Sequence, residues 1–185
     1  MARRLLCSAG VHSLPVMSRV FVGVGSNVDP EVHVRRGLVR LDEAVGVVGV
    51  STFYATPALG RPSDPPFVNG VVEVGDRLAP APLKALLSQV EEAEGRRRGG
   101  DRFAPRPIDL DLLLHGDAVS PAPGLSLPHP DVTGRRFVAL PLLELAPDLV
   151  LPGSRLRLAS VVDALPPSPM EPLWTLTREL KEVLR

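Results

Sequence analysis

The sequence predicts an α+β fold with a mainly antiparallel sheet and helices packed on it. Two observations carry that expectation. Segments of period-two apolar alternation are interspersed with segments of helical period. Two strand-like segments, 47–54 and 67–74, follow one another with no helix between them, which favours antiparallel pairing over a parallel, doubly wound sheet. No internal repeat is present, and 185 residues fit one domain with a real core.

The elements follow in order. Residues 19–24 form a short apolar strand that ends in the turn signal Gly25-Ser26-Asn27. Asp29-Pro30 opens a helix, with Asp29 as the expected N-cap and Pro30 in the first helical position. Val34, Leu38, Leu41 and Val45 share its inner face, and Gly46 ends it. Residues 56–66 are a proline-rich loop. Residues 80–94 are a second helix with Leu83, Leu86, Leu87 and Val90 inward. A strand from Ile108 follows, then a loop over 121–130, a strand over 136–140 and a helix starting over 141–145. Residues 160–165 form a short helix, and 166–169 a proline-rich linker. A helical tail, 173–185, carries Leu173, Leu176, Leu180 and Leu184 on one face. The β-α-β-β-α-β core with C-terminal additions is related to the ferredoxin-like arrangement.

Composition excludes several classes. Formal net charge is zero, so phosphate binding is expected to be local rather than spread over a basic nucleic-acid surface. Aromatic content of 4% leaves few platforms for stacking single strands. Cys7 is the only cysteine, so no intramolecular disulfide forms, which fits a reducing cytoplasm. No run has the length of a membrane-spanning helix. Residues 1–17 read as a disordered extension, or as sequence ahead of a true start at Met17. As a targeting peptide they would be weak, since Gly10, His12 and Pro15 break the apolar stretch. Gly23-Val24-Gly25 lacks the third glycine of a dinucleotide fingerprint, with Val28 in its place.

The most informative segment is Ile108-Asp109-Leu110-Asp111-Leu112-Leu113-Leu114. Alternation places Asp109, Asp111 and Leu113 on one face and Ile108, Leu110, Leu112 and Leu114 on the other. Carboxylates two residues apart on a strand are roughly 6.5–7 Å apart at Cα and can converge on hard cations such as Mg²⁺. Upstream lies the basic, glycine-rich run Gly95-Arg96-Arg97-Arg98-Gly99-Gly100. Either motif alone fits a solvated surface. Together they point to phosphoryl-group chemistry on a nucleotide.

With these residues in hand, the chain resembles the 6-hydroxymethyl-7,8-dihydropterin pyrophosphokinase family of folate biosynthesis. Motifs match in order: Val24-Gly25-Ser26-Asn27; Ser51 to Gly60 with Pro66-Phe67-Val68-Asn69; Glu91 with Gly95-Arg96-Arg97-Arg98 through Pro105-Arg106 to Asp109-Leu110-Asp111; and Pro128-His129-Pro130 with Arg135-Arg136-Phe137 and Pro141-Leu142. The match spans about residues 19–165. A pyrophosphokinase domain is therefore expected over 18–165, with 166–185 a linker and helical tail. The resemblance implies transfer of a pyrophosphoryl group from ATP to the pterin hydroxymethyl oxygen, releasing AMP. It implies that Asp109 and Asp111 hold two Mg²⁺ ions, one bridging the α- and β-phosphates and one the β- and γ-phosphates. Arg96 and Arg106 match loop arginines that close on the phosphates. Glu91, Arg98, His129 and Arg135 match residues of the ATP region.

The resemblance assigns the pterin to backbone groups of Thr56, Pro57 and Leu59, to the Asn69 amide, and to stacking between Phe67 and Phe137. Gly25 and Asn27 are expected to shape this pocket as turn residues. Three positions depart from the family pattern: Phe67 stands where tyrosine is often found, Ala104 stands where glycine commonly precedes Pro-Arg, and Phe103 replaces a tryptophan found in some members. Closure of the long loops on substrate is expected to gate catalysis. A monomer is expected, with no nucleic-acid or membrane partner. The same acid-pair logic also fits a nucleotidyl or glycosyl transferase, and a non-catalytic pterin- or nucleotide-binding module would keep ligand affinity without turnover.

Overall fold

The computed structural model describes residues 18–58, 64–75, 78–96 and 106–184. At its centre is β1 (Val20–Ser26), buried along its whole length. It pairs antiparallel with β4 (Phe67–Val74) on one side and β5 (Asp109–His115) on the other. Both β2 (Val47–Val50) and β3 (Tyr54–Thr56) pair with β4, and the short β8 (Glu171–Pro172) adds to β3. Every pairing is antiparallel, as the α+β reading expects.

Alternation along β1 sorts side chains to two layers. Val20, Val22 and Val24 join one core with α1 (Pro30–Val45), α2 (Pro80–Ala93) and α6 (Trp174–Val183). Phe21 points to the other core, with α4 (Arg136–Leu145) and α5 (Leu158–Ala164). The short α3 (Asp131–Gly134) precedes α4, and β6 (Ser120–Ala122) and β7 (Leu125–Leu127) form a separate hairpin.

Several expectations are corrected. The strand expected over 47–54 breaks at 51–53. Ser51 there exchanges bonds with Val71 through both its amide and its hydroxyl, and the Thr52 amide turns to the Glu144 carboxylate. Residues 136–140 are helix, not strand. A short apolar run does not reveal its period; Ala139, Pro141 and Leu142 are the buried residues of the helix, and Ala139 and Leu142 lie one turn apart on the face toward the second core. Leu114 does not share a layer with Leu110. A bulge between Phe21 and Val22 shifts the β5 register, so Leu113 and Leu114 both enter the second core. Part of the loop expected over 121–130 is the β6–β7 hairpin, turned at Gly124 with φ of 77°. Asp29 occupies the N-cap position with φ of 39°, but its carboxylate makes no cap bond; its carbonyl receives the Val32 and His33 amides instead.

Helix α6 is sewn to the sheet. The Phe53 amide donates to Thr177 Oγ1 at 2.9 Å, the Leu173 amide donates to the Phe53 carbonyl at 2.8 Å, and Leu176, Leu180 and Leu184 are buried. Phe53 itself lies under Gly70, where a Cβ would come within 2.8 Å of its ring, so only glycine fits there.

Candidate active site

The site is built on the face of β1 that bears glycines. Gly25 lies between Asp109 of β5 and Asn69 of β4; Gly23 lies between Asp111 and Val71. A Cβ at Gly25 would sit 3.1 Å from Asn69 Oδ1, and one at Gly23 would sit 3.2 Å from Leu113. The missing side chains leave a cavity of about 270 Å³ between sheet and α4. It is lined by Thr56, Pro57, Phe67, Asn69, Arg106, Asp109, Asp111, His129, Arg135 and Phe137. Elements distant in sequence thus bring ten of the expected site residues to one place. Glu91 and Arg96 stand behind this wall, bonded to Asp109 or to each other. Leu59, Arg98, Phe103 and Ala104 lie outside the described residues.

Asp109 is clamped by two guanidiniums. Arg96 bonds one carboxylate oxygen and Arg106 the other. Burial alone would raise the Asp109 pKa, but the two arginines outweigh it and hold the carboxyl below its usual range. Arg96 also bonds Glu91, whose carboxylate accepts the Leu110 amide at 2.7 Å. Burial pushes Glu91 up, against that amide and the Arg96 charge. Glu91 therefore ties α2, β5 and Arg96 together.

Further bonds orient the remaining groups. Asn27 exchanges bonds with the Arg106 backbone: its Oδ1 accepts the Arg106 amide at 2.7 Å, and its own amide donates to the Arg106 carbonyl at 3.1 Å. The Ser26 hydroxyl donates to the Pro107 carbonyl at 2.5 Å. The turn after β1 thus fixes the chain carrying Arg106. Asn69 Nδ2 donates to Thr56 Oγ1 at 2.7 Å, which sets the amide's orientation over Gly25. The His129 amide donates to the Leu113 carbonyl at 2.8 Å, and its Nδ1 accepts the Asp131 amide at 3.2 Å, leaving Nε2 to carry the neutral ring's proton. Arg135 pairs with Asp131 at 3.7 Å, whereas Arg136 donates to the Val162 carbonyl and joins α4 to α5.

Sequence reasoning missed four contributors. Asp64 and Asp131 line the cavity, and no motif singled them out. Lys84 Nζ stands 3.2 Å from Asp111 Oδ1. Its only sequence signal was its place beside the inward-facing Leu83. Glu94, at the end of α2, has a fully buried side chain held by His33 at 3.0 Å, Arg40 at 2.8 Å and Arg36 at 3.4 Å, all from α1. This cluster fixes the point where the arginine loop begins.

An antiparallel α+β sheet that sets an acid pair and arginines beside an aromatic-lined cavity is the arrangement of a phosphate-transferring enzyme. The family model described as 7,8-dihydro-6-hydroxymethylpterin-pyrophosphokinase (HPPK) matches residues 21–147. The 2-amino-4-hydroxy-6-hydroxymethyldihydropteridine pyrophosphokinase of Pseudomonas aeruginosa is 40% identical over 144 residues, 76% of this chain and 88% of that protein. The protein of the same name from Haemophilus influenzae is 34% identical over 143 residues, 76% of this chain and 89% of its own length. A folic acid synthesis protein of Schizosaccharomyces pombe is 32% identical over 149 residues, 79% of this chain but 20% of that longer protein. The chain belongs to the HPPK family. It is a transferase that moves a pyrophosphoryl group from ATP to the hydroxymethyl group of 6-hydroxymethyl-7,8-dihydropterin, releasing AMP, in folate biosynthesis.

Two outcomes follow from the supporting bonds. Asn27→Ala frees the Arg106 backbone, so kcat falls on the order of tenfold or more while stability drops by only about 1 kcal/mol. Steady-state kinetics and urea unfolding measure the two separately. For Glu94, burial raises the pKa, but Arg40, His33 and Arg36 outweigh it, so the net shift is downward from 4.5. A depressed carboxyl contributes stability above its unfolded pKa and loses it as pH falls through its folded pKa. Glu94→Gln is therefore expected to cost about 1–2 kcal/mol at pH 7. The gap to the native protein should narrow in unfolding experiments taken below about pH 4.5.

Proposed function

We propose that Asp109 and Asp111 are the ligands of divalent cations, two Mg²⁺ ions, in the pyrophosphoryl transfer this family performs. The donor set fits. Both groups are hard oxygen donors on one strand face, and together they would hold the cations while leaving further positions for water and substrate phosphate oxygens. When bound, the cations offset the negative charge that builds around the attacked β-phosphorus and make the pterin hydroxyl easier to deprotonate.

The chain's own residues perform the other tasks. Arg96 and Arg106 leave Asp109 for the polyphosphate, where a planar, permanently charged fork binds phosphate oxygens bidentately. Glu91 holds Arg96 at the base of its loop. Arg98, His129 and Arg135 contact the nucleotide. Phe67 from the sheet and Phe137 from α4 stack on the flat pterin. The Thr56-oriented Asn69 amide meets the donor and acceptor edge of the pterin with one side chain, and backbone groups of Thr56, Pro57 and Leu59 complete it. The hydroxymethyl oxygen attacks in line, with no covalent enzyme intermediate.

The reading rests on one observation above the rest: the acid pair and the aromatic cavity share a single floor, with Asp109 and Asn69 on either side of Gly25. We place the enzyme in the cytoplasm as a monomer without nucleic-acid or membrane partners. A lone cysteine supports the reducing compartment, and zero net charge supports the lack of a nucleic-acid partner.

Separation of nucleotide products tests the site. With Mg²⁺, ATP and the pterin, the native protein yields pterin-dependent AMP. Asp109→Asn and Asp111→Asn each lower kcat on the order of 10³-fold. Full activity in either variant contradicts the assignment.

A further inference from the structure

We infer that Lys84 is a positioning residue for the acid pair: in the nucleotide-free enzyme its ammonium takes the cation's place beside Asp111, and it passes to the nucleotide's phosphates when that site fills. The inference rests on the acid pair's reading as metal ligands and assigns a residue that reading leaves out.

Lys84 Nζ lies 3.2 Å from Asp111 Oδ1 and 3.3 Å from the Leu110 carbonyl oxygen. Its helix is anchored by the adjacent Leu83, which is 1% exposed, while the Lys84 side chain keeps about a third of its surface open. Among the described residues it is the cation within ion-pair distance of Asp111, as Arg96 and Arg106 are for Asp109. Each carboxylate thus has a cationic side chain of the chain itself beside it. Lys84 also lines a second cavity of about 270 Å³ with Leu125, Ser126 and Pro130. Asp111 and His129 line both cavities, so Lys84 stands where the acid pair meets a second compartment.

An ammonium suits an exchangeable role. It is a compact charge on a flexible stem, with donors that rotate between acceptors and no fixed fork. A divalent cation entering alone must displace Lys84 from Asp111 and offers it nothing in return. A polyphosphate entering with the cation offers the displaced ammonium new anionic oxygens. Free divalent cation is therefore expected to bind weakly, and metal and nucleotide to bind with positive coupling.

Two binding measurements on the full chain test this without turnover. Mn²⁺ is titrated into the enzyme alone and read by electron paramagnetic resonance. An unreactive ATP analogue with Mg²⁺ is titrated by calorimetry. Lys84→Met keeps the stem and removes the charge, and Lys84→Gln is a second variant should the first fold poorly. The expected result is Mn²⁺ affinity roughly three- to tenfold higher and analogue affinity lower by a similar factor. Unchanged or weaker Mn²⁺ binding, or unchanged analogue binding, overturns the inference. Asp111→Asn separates this from the reading beneath it. If that variant loses Mn²⁺ while Lys84→Met leaves the affinity untouched, only the role of Lys84 fails. If Asp111→Asn binds Mn²⁺ as the native protein does, the acid pair is not the metal site.

Discussion

The structure depends first on the register of β1 between β4 and β5. Hydrogen bonding across these strands lines up Asn69, Gly25 and Asp109, and beside them Val71, Gly23 and Asp111. A slip of one residue would turn the acids into the apolar core and Leu110 and Leu112 into the cavity. Packing prevents it: Val20, Val22 and Val24 are buried on one side and Phe21 on the other. The hydrophobic layers that hold the sheet together thus also fix the spacing of the reacting groups. Glycines at 23 and 25 then leave room for a ligand against the backbone.

Electrostatics governs the second level. Glu91, Asp109 and Asp111 crowd one wall, and carboxylates this close repel unless cations stand between them. Arg96 bridges Glu91 and Asp109, Arg106 takes the other side of Asp109, and Lys84 takes Asp111. The carboxylates are therefore balanced by arginine and lysine side chains, groups that themselves bind phosphate well. Substrate binding on this account is an exchange of partners, in which the cationic side chains move from carboxylate to phosphate. The surrounding bonds, Asn27 to the Arg106 backbone and Glu94 to α1, keep the bases of these side chains in place during that exchange.

Much of this was legible in the sequence where local pattern and tertiary demand agree. The alternation around Asp109 and Asp111 placed both on one strand face, and the proline and glycine punctuation located α1 and α2 closely. What was not legible depended on contacts from elsewhere. Residues 136–140 carry an apolar run that suits either period, and only packing on the second core settles it as helix. The bulge opposite Phe21 is set by strand pairing, so Leu114 changed layers with no local sign. Thr177 reads as a surface position of an amphipathic helix, yet it accepts the Phe53 amide from the distant break between β2 and β3. Lys84 and Glu94 follow the same rule: a charged residue on a helix reads as solvated until the structure supplies its partner.

The most direct test of the central claim is a crystal structure with Mn²⁺, an unreactive ATP analogue and the pterin, using the anomalous signal to locate the metal. The account predicts Mn²⁺ on the Asp109 and Asp111 carboxylates, with Arg96 and Arg106 turned from Asp109 onto the phosphates. Mn²⁺ bound elsewhere, with both arginines still clamped on Asp109, would contradict it.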